Sequence, residues 1–267
     1  MVEETTDPLE RDARFLPERF RPIRILGRGA TSVVWLAQDS RTGLTVALKQ
    51  LMERWSRQGT PSLERARREH AMMLELDHPN VLRTFEHGEK PLPWLAVEAH
   101  QRSLKDAISL DGPLDLPETL RMARDVLRAL QYLHGLGIVH RDVKPGNVLL
   151  AEDGRYVLAD LGIARGYDAR ITRTDQMLGS LMYMAPEQRV DAHNVDHRAD
   201  LYGLAATLWH TCIGRAPPDL SLLYLRPELL NRLPEALRPV VQRAAQSDPE
   251  ARYASAAAME ADLPDIA

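Results

Sequence analysis

The sequence predicts an α+β fold in two lobes, an antiparallel sheet with one main helix followed by a mostly helical lobe. Three observations carry this. From Phe20 the chain alternates or clusters β-branched and aromatic residues between turn signals, the pattern of strands joined by hairpins. After Ser103 the apolar spacing changes to that of helices. Only a short segment separates the two regions, and ligand clefts favour such junctions. The expected organisation is a loosely ordered lead-in over residues 1–19, a first lobe over 20–98, a hinge over 99–103 and a second lobe over 104–267.

The lead-in is charged and has no apolar periodicity. The stretch "FRPIRILGRGATSVVWLAQDSRTGLTVALKQL" then reads as antiparallel strands, with turn signals at Gly27, Gly29 and the "SRTG" of residues 40–43. Residues 62–76, "SLERARREHAMMLEL", set Ala66, Met73 and Leu76 on one side and charges on the other, an amphipathic helix ending before "DHPN". A second strand pair, "VLRTFEHG" and "PWLAVEAH", follows around a turn at residues 88–93. Next, "PETLRMARDVLRALQYLHGLG" opens with Pro117 at a helix-initiating position, keeps Leu120, Ala123, Leu127 and Leu130 on one face, and stops at glycines.

A chain of 267 residues can bury a sizeable core, and a formal net charge of -4 gives no global attraction to nucleic acid or anionic lipid. Any basic site is therefore local. The single cysteine, Cys212, can form no internal disulfide and reads as a small buried hydrophobe in "LYGLAATLWHTCIG", which fits a reducing compartment. The acidic N-terminus is no signal peptide, and the run around Cys212 is shorter than the roughly 20 residues that span a bilayer. The expectation is a soluble, cytoplasmic chain with no membrane segment and no nucleic-acid partner.

The stretch "GRGATS", residues 27–32, suits both an ordinary glycine-rich hairpin and a phosphate-covering loop whose backbone N–H groups approach an anion. "VALK" favours the second, because Lys49 inside an apolar strand is costly unless it meets an anion. Lys49 in turn needs a carboxylate. Glu69 on the amphipathic helix is the candidate, although the helix alone would present it as one more solvated charge.

"HRDVKPGN", residues 140–147, gathers His140, Arg141, Asp142, Lys144 and Asn147 around a Pro-Gly turn. Asp142 suits a base that orients a hydroxyl proton, Lys144 a cation for a phosphoryl group in flight, and Asn147 an oxygen ligand for a metal. Downstream, "LADLGIA" holds Asp160 between an apolar strand and a glycine, suited to a magnesium ion bridging nucleotide phosphates. "GSLMYMAPEQ" closes a loop that begins at Asp160 and contains Thr172 and Thr174.

Together these stretches resemble the protein-kinase family, specifically the eukaryotic-like (Hanks-type) Ser/Thr kinases of bacteria, over nearly the whole chain. The resemblance implies a bilobal protein-kinase-like fold that transfers the γ-phosphoryl group of ATP, with Mg²⁺ or Mn²⁺, to Ser or Thr hydroxyls of protein substrates. It implies nucleotide contacts from Gly27, Gly29, Ser32, Val34, Ala47, Lys49, Val97, Glu98 and His100. The catalytic set would be Asp142, Lys144, Lys49 and Glu69, with Asn147 and Asp160 as metal ligands. Glu187 would pair with Arg252, and Asp200 would anchor the catalytic-loop backbone. Arg141 would pair with a phosphorylated Thr172 or Thr174, autophosphorylation implying an encounter between two copies.

The departures are few. Ser32 replaces the last loop glycine, Leu161 stands where a phenylalanine is usual, Ser180 replaces a threonine, and the stretch after Gly214 is short and proline-rich. Two other classes share parts of this pattern. A pseudokinase scaffold normally lacks the lysine, base or metal aspartate, yet Lys49, Asp142 and Asp160 are all present. A kinase-like phosphotransferase for small molecules lacks the "APE" segment with its long activation loop.

Overall fold

A computed structural model describes residues 13, 15–29, 32–52, 61–161, 181–191, 194–223 and 225–265, without the side chains of residues 61, 62, 65, 66 and 69. The chain divides into two compact units, one running up to Asp77 and resuming over Leu82–His100, the other made of His78–Val81 and the chain from Gln101 onward.

The first unit is a five-stranded antiparallel sheet of order β1-β2-β3-β5-β4, built from β1 (Phe20–Arg28), β2 (Ser32–Asp39), β3 (Thr45–Leu51), β4 (Thr84–Gly88) and β5 (Trp94–Glu98), with the helix α1 (Pro61–Leu74). Side chains alternate across a strand, so the register sorts the two faces. Val34 lies opposite Lys49, Leu36 opposite Ala47, and Ala47 opposite Val97, which puts all five on one face. The other face is the apolar core: Phe20, Val33, Trp35, Ala37, Val46, Leu48, Trp94 and Ala96. On α1, Leu63, His70 and Met73 are buried.

That core reaches further back than the reading of residues 1–19 as a loose lead-in allowed. Leu16 is buried in it, and the Arg19 guanidinium bonds the buried Asp39 at 2.8 Å and Glu86 at 3.0 Å while lying over the Phe20 ring. Leu16 with Ala13 packed beside it, the Gln50 amide on the Phe15 carbonyl and the Arg19–carboxylate bonds hold this segment, and none of these leaves a periodicity to read.

The second unit opens with a three-stranded sheet, β6 (Arg102–Ser103), β7 (Val148–Leu150) and β8 (Tyr156–Leu158), in that order. Asn80 belongs here: its carbonyl accepts from Leu158 N–H at 2.8 Å and its amide donates to the Tyr156 carbonyl at 2.9 Å. Helix α2 (Leu104–Asp111) starts from a capping box in which the Ser103 hydroxyl and the Asp106 carboxylate each satisfy the other's backbone N–H. Helix α3 (Leu116–Gly135) is capped by Asp115 and buries Leu120, Ala123, Leu127 and Leu130, the predicted face. A short helix α4 (Pro186–Val190) precedes α5 (Arg198–Ile213), which is buried almost all round and ends on Gly214 at φ 75°, a left-handed cap that glycine adopts without strain. Beyond it the described chain runs through 3₁₀ turns at Leu220–Leu222, Pro227–Arg232 and Glu235–Leu237 before α6 (Arg238–Ala244) and α7 (Ala256–Ala261), so the shortened region after Gly214 holds no α-helix among its described residues until Arg238.

Candidate active site

In the loop of residues 140–147 the Asp142 carboxylate is held by two donors, Lys144 Nζ at 2.9 Å and the Asn147 side-chain amide at 2.7 Å, both to Oδ2. The same amide donates to the Asp142 carbonyl at 2.8 Å, which leaves Asn147 Oδ1 as that side chain's acceptor. Pro145 and Gly146 make the 3₁₀ turn (Pro145–Asn147) that brings Asn147 back over Asp142. A carboxylate so held keeps one orientation.

The backbone around it is strained and then restrained. Among described residues other than glycine, positive φ occurs at Arg141 (66°) and Asp160 (57°), a conformation that costs roughly 1–2 kcal/mol in an L-residue. Asp200, buried at the head of α5, accepts from Arg141 N–H at 2.7 Å, His140 N–H at 2.8 Å and His134 Nε2–H at 2.8 Å. Gln188 donates its side-chain amide to the Arg141 carbonyl at 2.7 Å. Gly203 lets α5 approach this loop: a Cβ there would lie 2.9 Å from the Val143 carbonyl oxygen.

Asp160 is tied to the same loop through its neighbour. The Ala159 N–H donates to the Asn147 carbonyl at 2.8 Å, and the Ala159 carbonyl accepts from His140 Nε2–H at 3.0 Å. His140 Nδ1 accepts from Asp142 N–H at 3.2 Å, which fixes the neutral tautomer. Burial holds the pKa of this fully enclosed ring below the ordinary value, against the opposing pull of the Asp200 and Asp142 carboxylates. Ala159, held at both its N–H and its carbonyl, thus ties the residue before Asp160 to the loop of Asn147, and a carboxylate with an amide oxygen is the hard-oxygen chemistry that suits Mg²⁺. Among the described residues, no group of three or more His, Cys, Asp or Glu could hold a metal by itself. A magnesium ion here would need further oxygens, such as those of a nucleotide.

Arg252 is the other buried anchor. Its guanidinium donates to both Glu187 carboxylate oxygens at 2.7 Å and to the carbonyls of Gln246, Arg198 and Ser247, so all five N–H groups are used.

In the first unit, Lys49 is half-buried on the sheet face shared with Val34, Ala47 and Val97. Its charge is felt on α1, where burial, Lys49 and His87 together push the pKa of His70 down to about 4. The Glu69 side chain lies outside the described residues. Gly27 pairs with Val34, and a Cβ added to it would meet no described residue within 4 Å. Neither crowding by the described residues nor positive φ therefore demands glycine there. Gly29 N–H donates to the Ser32 carbonyl at 2.8 Å, closing the hairpin end. At the end of β5, Glu98 N–H donates to the Arg83 carbonyl at 2.9 Å, and His100 Nε2 lies 3.6 Å from the Glu98 carboxylate.

Within the second unit the structure brings together Arg141, Asp142, Lys144, Asn147 and Asp200, and separately Glu187 with Arg252. Thr172, Thr174 and Ser180 lie outside the described residues. Sequence reasoning gave no role to His134, His140, Gln188 or Gly203. His140 and Gln188 stood inside the quoted motifs, but their contacts join segments far apart in the chain, and no local pattern encodes that.

Comparison with known proteins gives the family. The protein kinase domain family matches residues 20–261. The serine/threonine-protein kinase PknB of Mycobacterium leprae is 32% identical over 93% of this chain and 43% of its own length; PrkC of Bacillus subtilis is 31% identical over 92% and 40%. The chain thus spans less than half the length of these curated relatives. Among solved structures, a mutant kinase domain of Mycobacterium tuberculosis PknI superposes with a TM-score of 0.71 at 29% identity, covering 92% of this chain and 95% of that one. A family match over nearly the whole chain, with a strained and doubly anchored HRD loop beneath it, makes this chain a member of the protein kinase domain family, of the kind carried by bacterial serine/threonine kinases.

Proposed function

We propose that the chain transfers the γ-phosphoryl group of ATP to Ser or Thr hydroxyls of protein substrates, with Asp142 as the base. The observation that carries this reading is the Asp142 carboxylate, oriented by Lys144 and Asn147 on a peptide anchored to the buried Asp200. Phosphoryl transfer asks mainly for positioning and for neutralising negative charge. Asp142 takes the hydroxyl hydrogen bond and aims the nucleophile at the terminal phosphorus. Lys144 moves its positive charge toward the transferring group, and Lys49, for which Glu69 is the proposed carboxylate partner, neutralises the phosphates that precede it. Bound Mg²⁺, for which Mn²⁺ could substitute, would add Lewis-acid neutralisation of the phosphate oxygens, with Asn147 and Asp160 as its ligands.

The adenine and ribose side of the nucleotide falls to Val34, Ala47 and Val97 and to the backbone of residues 98–100. Gly27, Gly29 and Ser32 cover the phosphates. The open space around Gly27 among the described residues supports this, since a glycine required by neither φ nor crowding from them fits close approach of a ligand to the backbone. Regulation follows from Arg141: a phosphate on Thr172 or Thr174 brings a charge of about -1.5 to -2, which a guanidinium pairs well. We place the activity in the cytoplasm, with a transient encounter of two copies for autophosphorylation. No helix among the described residues is long and apolar enough to cross a membrane.

The test is transfer of labelled γ-phosphate from ATP to the chain itself and to a basic protein, with and without chelator, followed by mass spectrometry. Metal-dependent label on Ser or Thr, including Thr172 or Thr174, is expected. Full activity in chelator would remove the metal role, and an absence of any transfer would favour a binding scaffold.

A further inference from the structure

We infer that Gln188 is a positioning residue for the catalytic peptide, coupling the end of the activation segment to Asp142. The inference rests on the reading of Asp142 as the base. Gln188 follows Glu187 on α4, the short helix that the buried Arg252 grips through two 2.7 Å bonds. Its own side chain is buried, at 8% exposure, and its amide lies 2.7 Å from the Arg141 carbonyl oxygen. A carbonyl only accepts, so the NH₂ end must face it.

That carbonyl and the Asp142 N–H belong to one peptide plane. The plane follows a residue at φ 66°, a region that a residue with a Cβ leaves when released. Asp200 holds the preceding N–H at 2.7 Å, and the His140 ring accepts the plane's own N–H at 3.2 Å. Gln188 holds the plane's oxygen from a different element, 47 residues along the chain. Rotation of this plane swings the Asp142 Cα–Cβ bond and with it the carboxylate. Gln188 touches neither nucleotide nor acceptor, so its loss acts on turnover and not on ATP affinity.

Two variants test this in the full chain beside Asp142→Asn as control. Gln188→Met keeps the length and removes the donor; kcat should fall roughly ten- to a hundredfold, the scale of a small misplacement of a reacting group, with the ATP KM within about twofold of wild type. Gln188→Glu keeps the shape, but an ionised carboxylate repels the carbonyl whereas a protonated one donates to it. Its kcat relative to wild type should therefore be lowest at pH 8 and climb as the pH falls toward 5.5, a profile that a merely structural role would not produce. If Gln188→Met does not fold, the Gln188→Glu profile decides. Wild-type kcat in Gln188→Met, or a Gln188→Glu ratio flat with pH, overturns the inference. An active Asp142→Asn variant overturns the underlying reading of the base instead.

Discussion

Replacing Asp200 with Asn probes the anchor with the smallest change of shape. Oδ2 accepts from His140 N–H and His134 Nε2–H, and Oδ1 from Arg141 N–H. In Asp200→Asn the better orientation puts the remaining oxygen in the Oδ2 position and keeps two bonds. The new NH₂ then faces the Arg141 N–H across 2.7 Å, donor against donor. One charge-assisted bond is lost and one backbone N–H is left without an acceptor, worth about 2–4 kcal/mol together. That exceeds the roughly 1–2 kcal/mol that a left-handed Arg141 costs, so the loop should relax toward negative φ. At about 2–4 °C per kcal/mol for a domain of this size, the melting temperature should drop by roughly 5–15 °C, and kcat should fall with it. Calorimetry on both proteins, with turnover measured well below either transition, gives the two numbers. A melting temperature within 2 °C of wild type together with unchanged turnover would show that Asp200 does not hold the loop.

Other consequences follow from the same contacts. Glu187→Ala strips the buried Arg252 of the carboxylate that accepts two of its bonds and should cost about 3–5 kcal/mol by chemical denaturation; a double variant with Arg252→Met should cost less than the sum, and strict additivity would contradict the pairing. His70 titrates near 4 in the folded chain and near 6.5 unfolded, so the unfolded state binds the extra proton between those values and stability falls as pH drops from 6.5 toward 4. The loss should reach about 2 kcal/mol by pH 5 and shrink in His70→Gln, which denaturation midpoints across that range would reveal. Gly27→Ala should leave the melting temperature alone, because no described residue lies within 4 Å of the added Cβ, yet raise the ATP KM severalfold; an unchanged KM would remove the loop from the nucleotide.

Much of this was legible because the information is local. Strand alternation and the 3.6-residue spacing of Leu120, Ala123, Leu127 and Leu130 depend on neighbours in sequence, and the structure buries that face as expected. The spacing of Asp142, Lys144 and Asn147 needs only one 3₁₀ turn to converge. What stayed hidden is contact between distant segments: Leu16 under the sheet, Asn80 bonded into β7 and β8's unit through Tyr156, and Gln188 reaching the Arg141 carbonyl. A buried glutamine and a glycine inside a helix leave no periodic trace. Their reason exists only once two elements meet, as Gly203 shows at 2.9 Å from the Val143 carbonyl.

The central claim is that Asp142 orients the nucleophile, and single-turnover phosphoryl transfer by Asp142→Asn tests it most directly. Asn keeps the shape and one oxygen for Lys144 and Asn147, but it exchanges the other oxygen for an NH₂ donor and cannot take the hydroxyl proton. With ATP binding measured separately by calorimetry, the rate should fall by roughly a hundred- to ten-thousandfold while ATP affinity stays within a few-fold of wild type. A wild-type rate in Asp142→Asn would contradict the account.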